Sequence, residues 1–162
     1  MISRELIEKL AYEFRKALEE VVGKKSYGRL AIFEKFPDEC CRYASDLLAE
    51  YIIQQGMPME HVQMIQGESY KEGYTHCWLL ICNYLVVDIT ADQFNGKSDF
   101  KEYEPIPSCY VAPCDMKSIH DCFTNSKMER IYDVGIESYS SDIPAKLKNV
   151  YDAVLEQINA NL

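Results

Sequence analysis

The chain has 162 residues, 48% of them hydrophobic, which is enough to bury the core of one compact domain, and we expect a single domain over residues 1–162. Its 26 acidic and 17 basic residues give a net charge of −9 and are scattered, so we expect no nucleic-acid partner, because neutralising phosphates requires clustered positive charge. No apolar run reaches the length that spans a bilayer and the first residues lack a signal-peptide pattern, so we expect no membrane association and a cytoplasmic location, with export by a signal-independent route left open. The seven irregularly spaced cysteines are expected to be reduced thiols.

Two amphipathic helices are predicted in the first third of the chain. Residues 2–22 carry apolar side chains at helical spacing, and Gly23 with its neighbouring lysines indicates where that helix ends. The apolar positions are Ile2, Leu6, Leu10, Phe14, Leu18 and Val21. Asp38 is a suitable N-cap for a second helix that runs to about Gln55, where Gly56 ends it. The predicted buried stripe of the second helix is Ala44, Leu47, Leu48, Tyr51 and Ile52.

Residues 61–65 are predicted to form a strand, and residues 66–74 an exposed loop. Tyr70 and Tyr74 give this loop two interpretations. It is either a lid that contacts a substrate or an ordinary solvated connection into the next segment.

Residues 75–90 are predicted to form a β-hairpin with a three-residue turn at positions 82–84. This turn pairs Trp78 with Asp88 and leaves His76 diagonal to Asp88 on the same face. A two-residue turn would send His76 and Asp88 to opposite faces, because side chains alternate along a strand. The hypothesis that His76 meets Asp88 therefore requires a turn with an odd number of residues.

The hairpin presents two different faces in this register. One face is uniformly apolar and is predicted to join the core: Cys77, Leu79, Ile81, Leu85, Val87 and Ile89. The other face mixes polar and apolar residues and is predicted to carry a site: His76, Trp78, Leu80, Val86, Asp88 and Thr90.

The last part of the chain completes an α+β pattern. Residues 91–107 are predicted to be a polar connection, and residues 109–112 another strand. A final helix begins at about Ser140 and carries apolar residues at three- and four-residue steps from Leu147 to Leu162. The predicted order is two helices, then several strands, then a last helix. This order indicates an α+β domain with helices packed on an antiparallel sheet.

Two neighbouring cysteines near the start of the second helix are candidate nucleophiles. With Asp38 as N-cap, Cys41 is the third helical residue, where unpaired backbone N–H groups lower the pKa of a thiol. Asp38 and Glu39 oppose this effect, so His76 would have to supply the main activation. Cys40 competes with Cys41; one should face the hairpin, and the other should pack as a small hydrophobic residue.

These residues resemble the papain-like and transglutaminase-like superfamily of thiol catalysts. The motifs that carry the resemblance are Cys41-Arg-Tyr-Ala-Ser45, His76-Cys-Trp78 and Val86-Val-Asp88-Ile-Thr90. The chain is also similar to a narrower group of uncharacterised bacterial proteins through Phe36-Pro37, Cys41, Ser45, Leu47-Leu48 and the stretch Asp88-Ile-Thr-Ala-Asp-Gln-Phe94. The resemblance covers about residues 36–94. Arg42 departs from the small residue that often follows the cysteine in that group.

The resemblance implies a Cys-His-Asp triad in which Cys41 is the nucleophile, His76 is the general base and then the acid, and Asp88 orients the imidazole. Trp78 is expected to shield the histidine and the aspartate from water, which strengthens their hydrogen bond. The backbone N–H of Cys41 is a candidate oxyanion donor. Gln93 is a candidate for the second donor, or else braces its own loop.

The implied function is that of a cysteine-dependent hydrolase or acyl transferase, which attacks an amide of a peptide or protein substrate through a thioester and needs no cofactor or metal. Peptidase, glutamine deamidase and transglutaminase chemistry all fit, and the sequence indicates neither the acceptor nor the oligomeric state. Arylamine acetyltransferases share such a triad, but the Arg-Gly-Gly context expected before their cysteine is missing.

Two alternatives stay open beside the enzyme. One is a non-catalytic binding or regulatory domain on the same scaffold. The other is an interaction module stabilised by zinc, with Cys109, Cys114, His120 and Cys122 as ligands. Outside that alternative, His61 and His120 are interpreted as structural residues.

Overall fold

The computed structural model describes residues 3–24, 31–71, 73–140 and 142–162 and has an α+β architecture. Its long helices are α1 (Arg4–Lys24), α2 (Cys41–Gln54) and α3 (Ile143–Ala160). Its strands are β1 (Val62–Glu68), β2 (Thr75–Ile81), β3 (Leu85–Asp88), β4 (Tyr110–Pro113) and β5 (Glu129–Ile131). The strands form one five-stranded sheet in the order β4-β3-β2-β1-β5, and every neighbouring pair is antiparallel. The predicted class, with helices on an antiparallel sheet, is confirmed.

The apolar stripes of the helices are buried as the spacing predicted, with two exceptions. All five predicted stripe residues of α2 are in the core, as are Leu10, Phe14, Leu18 and Val21 of α1. Leu6 is 40% exposed, because Ile7 continues the buried stripe in its place, and Leu162 lies beyond α3 and is 91% exposed. Ile2 lies outside the described residues. Among the residues that are described, no helix is both long enough and apolar enough to cross a membrane.

Helix α2 begins later than the sequence predicted. Cys40 is its N-cap and Cys41 its first residue, so the predicted cap at Asp38 is wrong. Glu39 has a φ of 61°, a left-handed conformation that interrupts any right-handed helix begun before it. Gly56 has a φ of 103° just beyond the end of α2, which confirms the predicted end of this helix.

Both faces of the β2–β3 hairpin are buried, each in a different apolar cluster. The predicted core face packs under the three helices. On the opposite face Trp78, Leu80 and Val86 join a second cluster with Phe94, Phe100 and Phe123. The predicted site face is therefore covered by the connections that follow β3 and β4, and it is not an open polar surface.

The connections also differ from their predictions. Strand β1 continues to Glu68, so the loop before β2 is shorter than predicted. The region 91–107 contains two short 3₁₀ helices, at Ala91–Phe94 and Ser98–Tyr103, whose aromatic side chains fill the second cluster. Strand β5 was not predicted, because its three residues, two of them charged, show no apolar alternation.

Candidate active site

The β2–β3 hairpin has the predicted register. Ile81 pairs with Leu85, which leaves residues 82–84 as a three-residue turn. The parity of this turn brings His76 and Asp88 to the same face, where His76 Nε2 lies 2.6 Å from Asp88 Oδ2. The predicted diagonal pair is confirmed.

The Asp88 carboxylate is fully buried and accepts four hydrogen bonds. Oδ1 accepts from the backbone N–H of Thr90 at 2.8 Å and from its hydroxyl at 3.1 Å. Oδ2 accepts from Nε2 of His76 and, at 2.8 Å, from Nε2 of His120. Burial disfavours the carboxylate, but the charge of His76 and the donors of both histidines hold the pKa of Asp88 well below its usual range. Asp88 is therefore an anion that is oriented on both oxygens.

The imidazole of His76 is enclosed by aromatic side chains and has no exposed surface. The rings of Phe94, Phe123 and Trp78 lie 5.0, 5.5 and 5.7 Å from it. Burial disfavours the imidazolium, but the Asp88 carboxylate and then the Cys41 thiolate outweigh it and raise the pKa of His76 to about 10. Because Nε2 is taken by Asp88, Nδ1 is the nitrogen that exchanges a proton with other groups.

The Cys41 thiol lies at the start of α2, against His76 and Cys77 of β2. Helix α2 is fastened to this strand by its buried stripe and by the Ser45 hydroxyl, which donates to the Cys77 carbonyl at 3.5 Å. The neighbouring Cys77 thiol, followed by the hydrogen bond and charge of His76, lowers the pKa of Cys41 to about 4 against the opposing effect of burial. The unpaired N–H groups of the first helical turn act in the same direction. The two shifts therefore favour a thiolate–imidazolium pair over a neutral thiol and a neutral imidazole.

Cys40 has the opposite environment. Only 1% of it is exposed, and its thiol donates to the Pro37 carbonyl at 3.5 Å. Burial raises the pKa of Cys40 far above that of a free thiol. Of the two candidates, Cys41 faces the hairpin and Cys40 packs in the core.

Gln93 and Trp78, the two supporting residues named from the sequence, both contact the site. Gln93 Nε2 lies 2.9 Å from the Thr90 carbonyl and 3.3 Å from His76 Nδ1. The amide therefore braces its loop, as one of the two sequence interpretations expected, and also borders His76; its role as an oxyanion donor stays a prediction. Trp78 is 2% exposed and covers His76 from the side of the second cluster, as predicted.

His120 is the residue that sequence reasoning missed. It was interpreted as structural, yet it donates to the same Asp88 oxygen as His76. Ser118 and Asp121 form a capping box around the 3₁₀ helix Ile119–Cys122, and that pattern could have located the helix. Nothing in the sequence indicates that this helix reaches a strand 32 residues earlier.

The proposed zinc ligands do not come together. Cys122 lies in the second apolar cluster, Cys109 packs against the first, and Cys114 is exposed. Among the described residues, the group with metal-ligand character is His76, Asp88 and His120, which are already joined by hydrogen bonds.

An open cleft of about 640 Å³ leads from the surface to Cys41. Tyr74 and Phe94 supply aromatic walls, and Gln93 lies beside the thiol. The charged residues of the rim are paired: Lys97 with Asp38 at 3.0 Å, and Lys35 with Glu39 at 3.0 Å. The cleft therefore offers a reactive thiol, amide and aromatic contacts, and a rim in which each lysine faces a carboxylate.

Known proteins provide no match to this chain. No protein-family model, no curated protein and no solved structure matches it. The resemblance to papain-like and transglutaminase-like thiol catalysts therefore remains a prediction, carried by the motifs within residues 36–94.

Proposed function

We propose that this protein is a cysteine-dependent hydrolase or acyl transferase of the papain-like or transglutaminase-like type that acts on an amide of a peptide or protein. The observation that carries the proposal is the chain of contacts from Cys41 through His76 to Asp88, with the thiol facing an open cleft and the acid–base pair shielded from water. A thiolate is a strong nucleophile, and a buried imidazolium beside it is a ready proton donor.

The reaction would proceed in two halves. The Cys41 thiolate attacks the amide carbonyl carbon, and the backbone N–H of Cys41 stabilises the oxyanion. His76 gives its Nδ1 proton to the leaving amine, the C–N bond breaks, and a thioester remains on Cys41. Water or a second amine, deprotonated by His76 Nδ1, then attacks the thioester carbon and releases the thiolate. Asp88 keeps Nε2 protonated throughout and stabilises each imidazolium.

The shape and chemistry of the cleft favour a polymeric substrate over a small apolar one. The cleft is open to solvent, and aromatic, amide and paired charged side chains line it. An extended peptide segment or an exposed side chain of a protein can reach Cys41 through such an opening, whereas a small apolar ligand prefers an enclosed pocket.

The test is the pH dependence of iodoacetamide alkylation, resolved by mass spectrometry at Cys40 and Cys41. Because the pKa of Cys41 is lowered to about 4, its thiolate persists above that pH and is lost as the pH falls through it. We expect Cys41 to be labelled rapidly at about pH 6, and Cys40 to be labelled only after unfolding. His76→Ala should move the labelling of Cys41 towards that of a free thiol, near about pH 8.5.

His61→Ala is the matched control, since His61 is an exposed histidine at the edge of β1 and should leave the profile unchanged. Active protein and Cys41→Ser should then be compared on peptides that contain glutamine and lysine, with cleavage, deamidation and amine incorporation read by mass. Slow labelling of Cys41 that does not depend on His76 would reject the triad and favour the non-catalytic binding domain.

A further inference from the structure

A second histidine contacts the candidate triad at its buried end. His120 Nε2 lies 2.8 Å from Asp88 Oδ2, the oxygen to which His76 Nε2 donates at 2.6 Å. His120 is 3% exposed, and Asp88 and His76 are fully buried, so water does not compete for these two bonds.

The partners of His120 determine its tautomer. A carboxylate only accepts hydrogen bonds, so Nε2 of His120 must carry a proton. Nδ1 lies 2.9 Å from the Ser118 hydroxyl, which can donate to it. Both ring nitrogens are therefore satisfied by the neutral imidazole, and burial, which lowers the pKa of His120, favours the same form. The titratable groups that face His120 are Asp88 and His76, together with Asp121 and Tyr110.

The bond from His120 completes the set of donors around Asp88. Thr90 holds Oδ1 with two hydrogen bonds, but Oδ2 has only the two histidines. Without His120, that oxygen would depend on His76 alone, and a buried carboxylate that lacks a donor is a less stable anion. A less stable or rotated carboxylate supports the His76 imidazolium less well, and therefore also the Cys41 thiolate.

We propose that His120 is a positioning residue of this site, which holds the Asp88 carboxylate in the orientation that His76 requires by donating from Nε2. The inference rests on the proposed function and extends the Cys41–His76–Asp88 chain by one neutral histidine. A metal ion among these three residues is the competing interpretation, since their ligand atoms lie within 4.8 Å of one another. The short contacts between nitrogen and oxygen favour shared protons, because a metal would have to separate those atoms.

The experiment compares His120→Gln, His120→Asn and His120→Leu by the alkylation profile of Cys41. A glutamine amide nitrogen can occupy the position of Nε2 and still donate to Asp88, whereas the shorter asparagine reaches only towards Ser118. We expect His120→Gln to stay within about twofold of the wild type. His120→Asn and His120→Leu should label Cys41 about tenfold more slowly on the acidic side of the profile and reach the same limiting rate at high pH, as a shift of about one pH unit predicts.

Thermal unfolding of each variant identifies any that fails to fold. If His120→Leu does not fold, the comparison of His120→Gln with His120→Asn is sufficient to test the positioning role. Wild-type profiles for His120→Asn and His120→Leu, or an equal loss in His120→Gln, would overturn the positioning role. A stoichiometric metal in the purified wild-type protein, absent from the variants, would overturn it in favour of a metal ligand. An ordinary thiol profile in the wild type would instead reject the proposed function itself.

Discussion

The Cys41 thiol interacts with two consecutive residues of β2 whose side chains belong to opposite faces of the sheet. Cys77 lies on the face that packs under the helices, and His76 lies against the aromatic rings of the second cluster. A single cysteine can reach both because it stands at the start of α2, beside the beginning of the strand. Cys77 is therefore more than a core residue: its thiol, which lies 3.7 Å from Gln66 Oε1, is also a neighbour that lowers the pKa of Cys41.

Replacing Cys77 tests this contribution at the scale of one residue. Cys77→Ala removes this neighbouring thiol, so we expect the pKa of Cys41 to rise and the midpoint of its alkylation profile to move up from about pH 4 by the same amount, with slower labelling at pH values below the new midpoint. Cys77→Ser keeps a hydroxyl donor at the same position and is the matched control, with a profile near that of the wild type. Identical profiles for the alanine and serine variants would show that His76 alone sustains the thiolate.

At the scale of the element, the packing of Phe123 beside His76 depends on a glycine in β1. Gly67 lies directly opposite His76 in the β1–β2 ladder. A Cβ built on Gly67 would lie 2.7 Å from Phe123 Cβ, and nearer still to the Phe123 carbonyl oxygen. The absence of a side chain at position 67 therefore lets Phe123 approach the strand and pack 5.5 Å from the His76 ring.

Gly67→Ala should therefore destabilise the protein and disturb the site together. We expect the free energy of unfolding, measured in urea, to fall by about 1–3 kcal/mol, because the neighbour is backbone and cannot rotate away. Gly23→Ala is the control: it lies in α1 with nothing within 4 Å of an added Cβ, and helix propensity predicts a gain of up to about 1 kcal/mol. Equal stability of Gly67→Ala and the wild type would mean that Phe123 is free to move.

At the scale of the whole molecule, Arg15 connects α1 to the loop that follows Asp88. Its guanidinium donates to the Ile89 carbonyl at 2.6 Å, to the Ser108 carbonyl at 2.9 Å and to both oxygens of Asp92 at 2.8 and 2.9 Å. Arg15 is 4% exposed, and its bond to the Ile89 carbonyl is buried, whereas its partners Asp92 and Ser108 lie nearer the surface. The loop that carries Thr90 and Gln93 is thus held by a helix from the other end of the chain.

Arg15→Met keeps most of the side-chain volume but removes every donor. It leaves the buried Ile89 carbonyl, the Ser108 carbonyl and the Asp92 carboxylate without their partner, so we expect a loss of about 2–5 kcal/mol in the free energy of unfolding. Lys16→Met, at the exposed neighbouring position, should change the stability by less than about 0.5 kcal/mol. A loss below about 0.5 kcal/mol in Arg15→Met would show that the loop holds its shape without the helix.

The long helices, the β2–β3 hairpin and most of the candidate triad could be predicted from the sequence alone. Helical spacing located the long helices, and the parity of a three-residue turn was enough to predict that His76 meets Asp88, because side chains alternate along every strand. The helix cap was misplaced by two residues, since a left-handed residue such as Glu39 has no signature in its side chain.

Which cysteine faces the hairpin, and what surrounds the site, depends on how the chain packs in three dimensions. Cys40 and Cys41 are identical side chains, and packing alone buries one and turns the other towards His76. Three residues reach the site from helices and loops that are distant in sequence: His120, Arg15 and Phe123. Such contacts cannot be predicted from the spacing of apolar residues along the chain. Local patterns record how a chain folds on itself over a few residues, whereas the enclosure of a buried charge pair is a property of the assembled core.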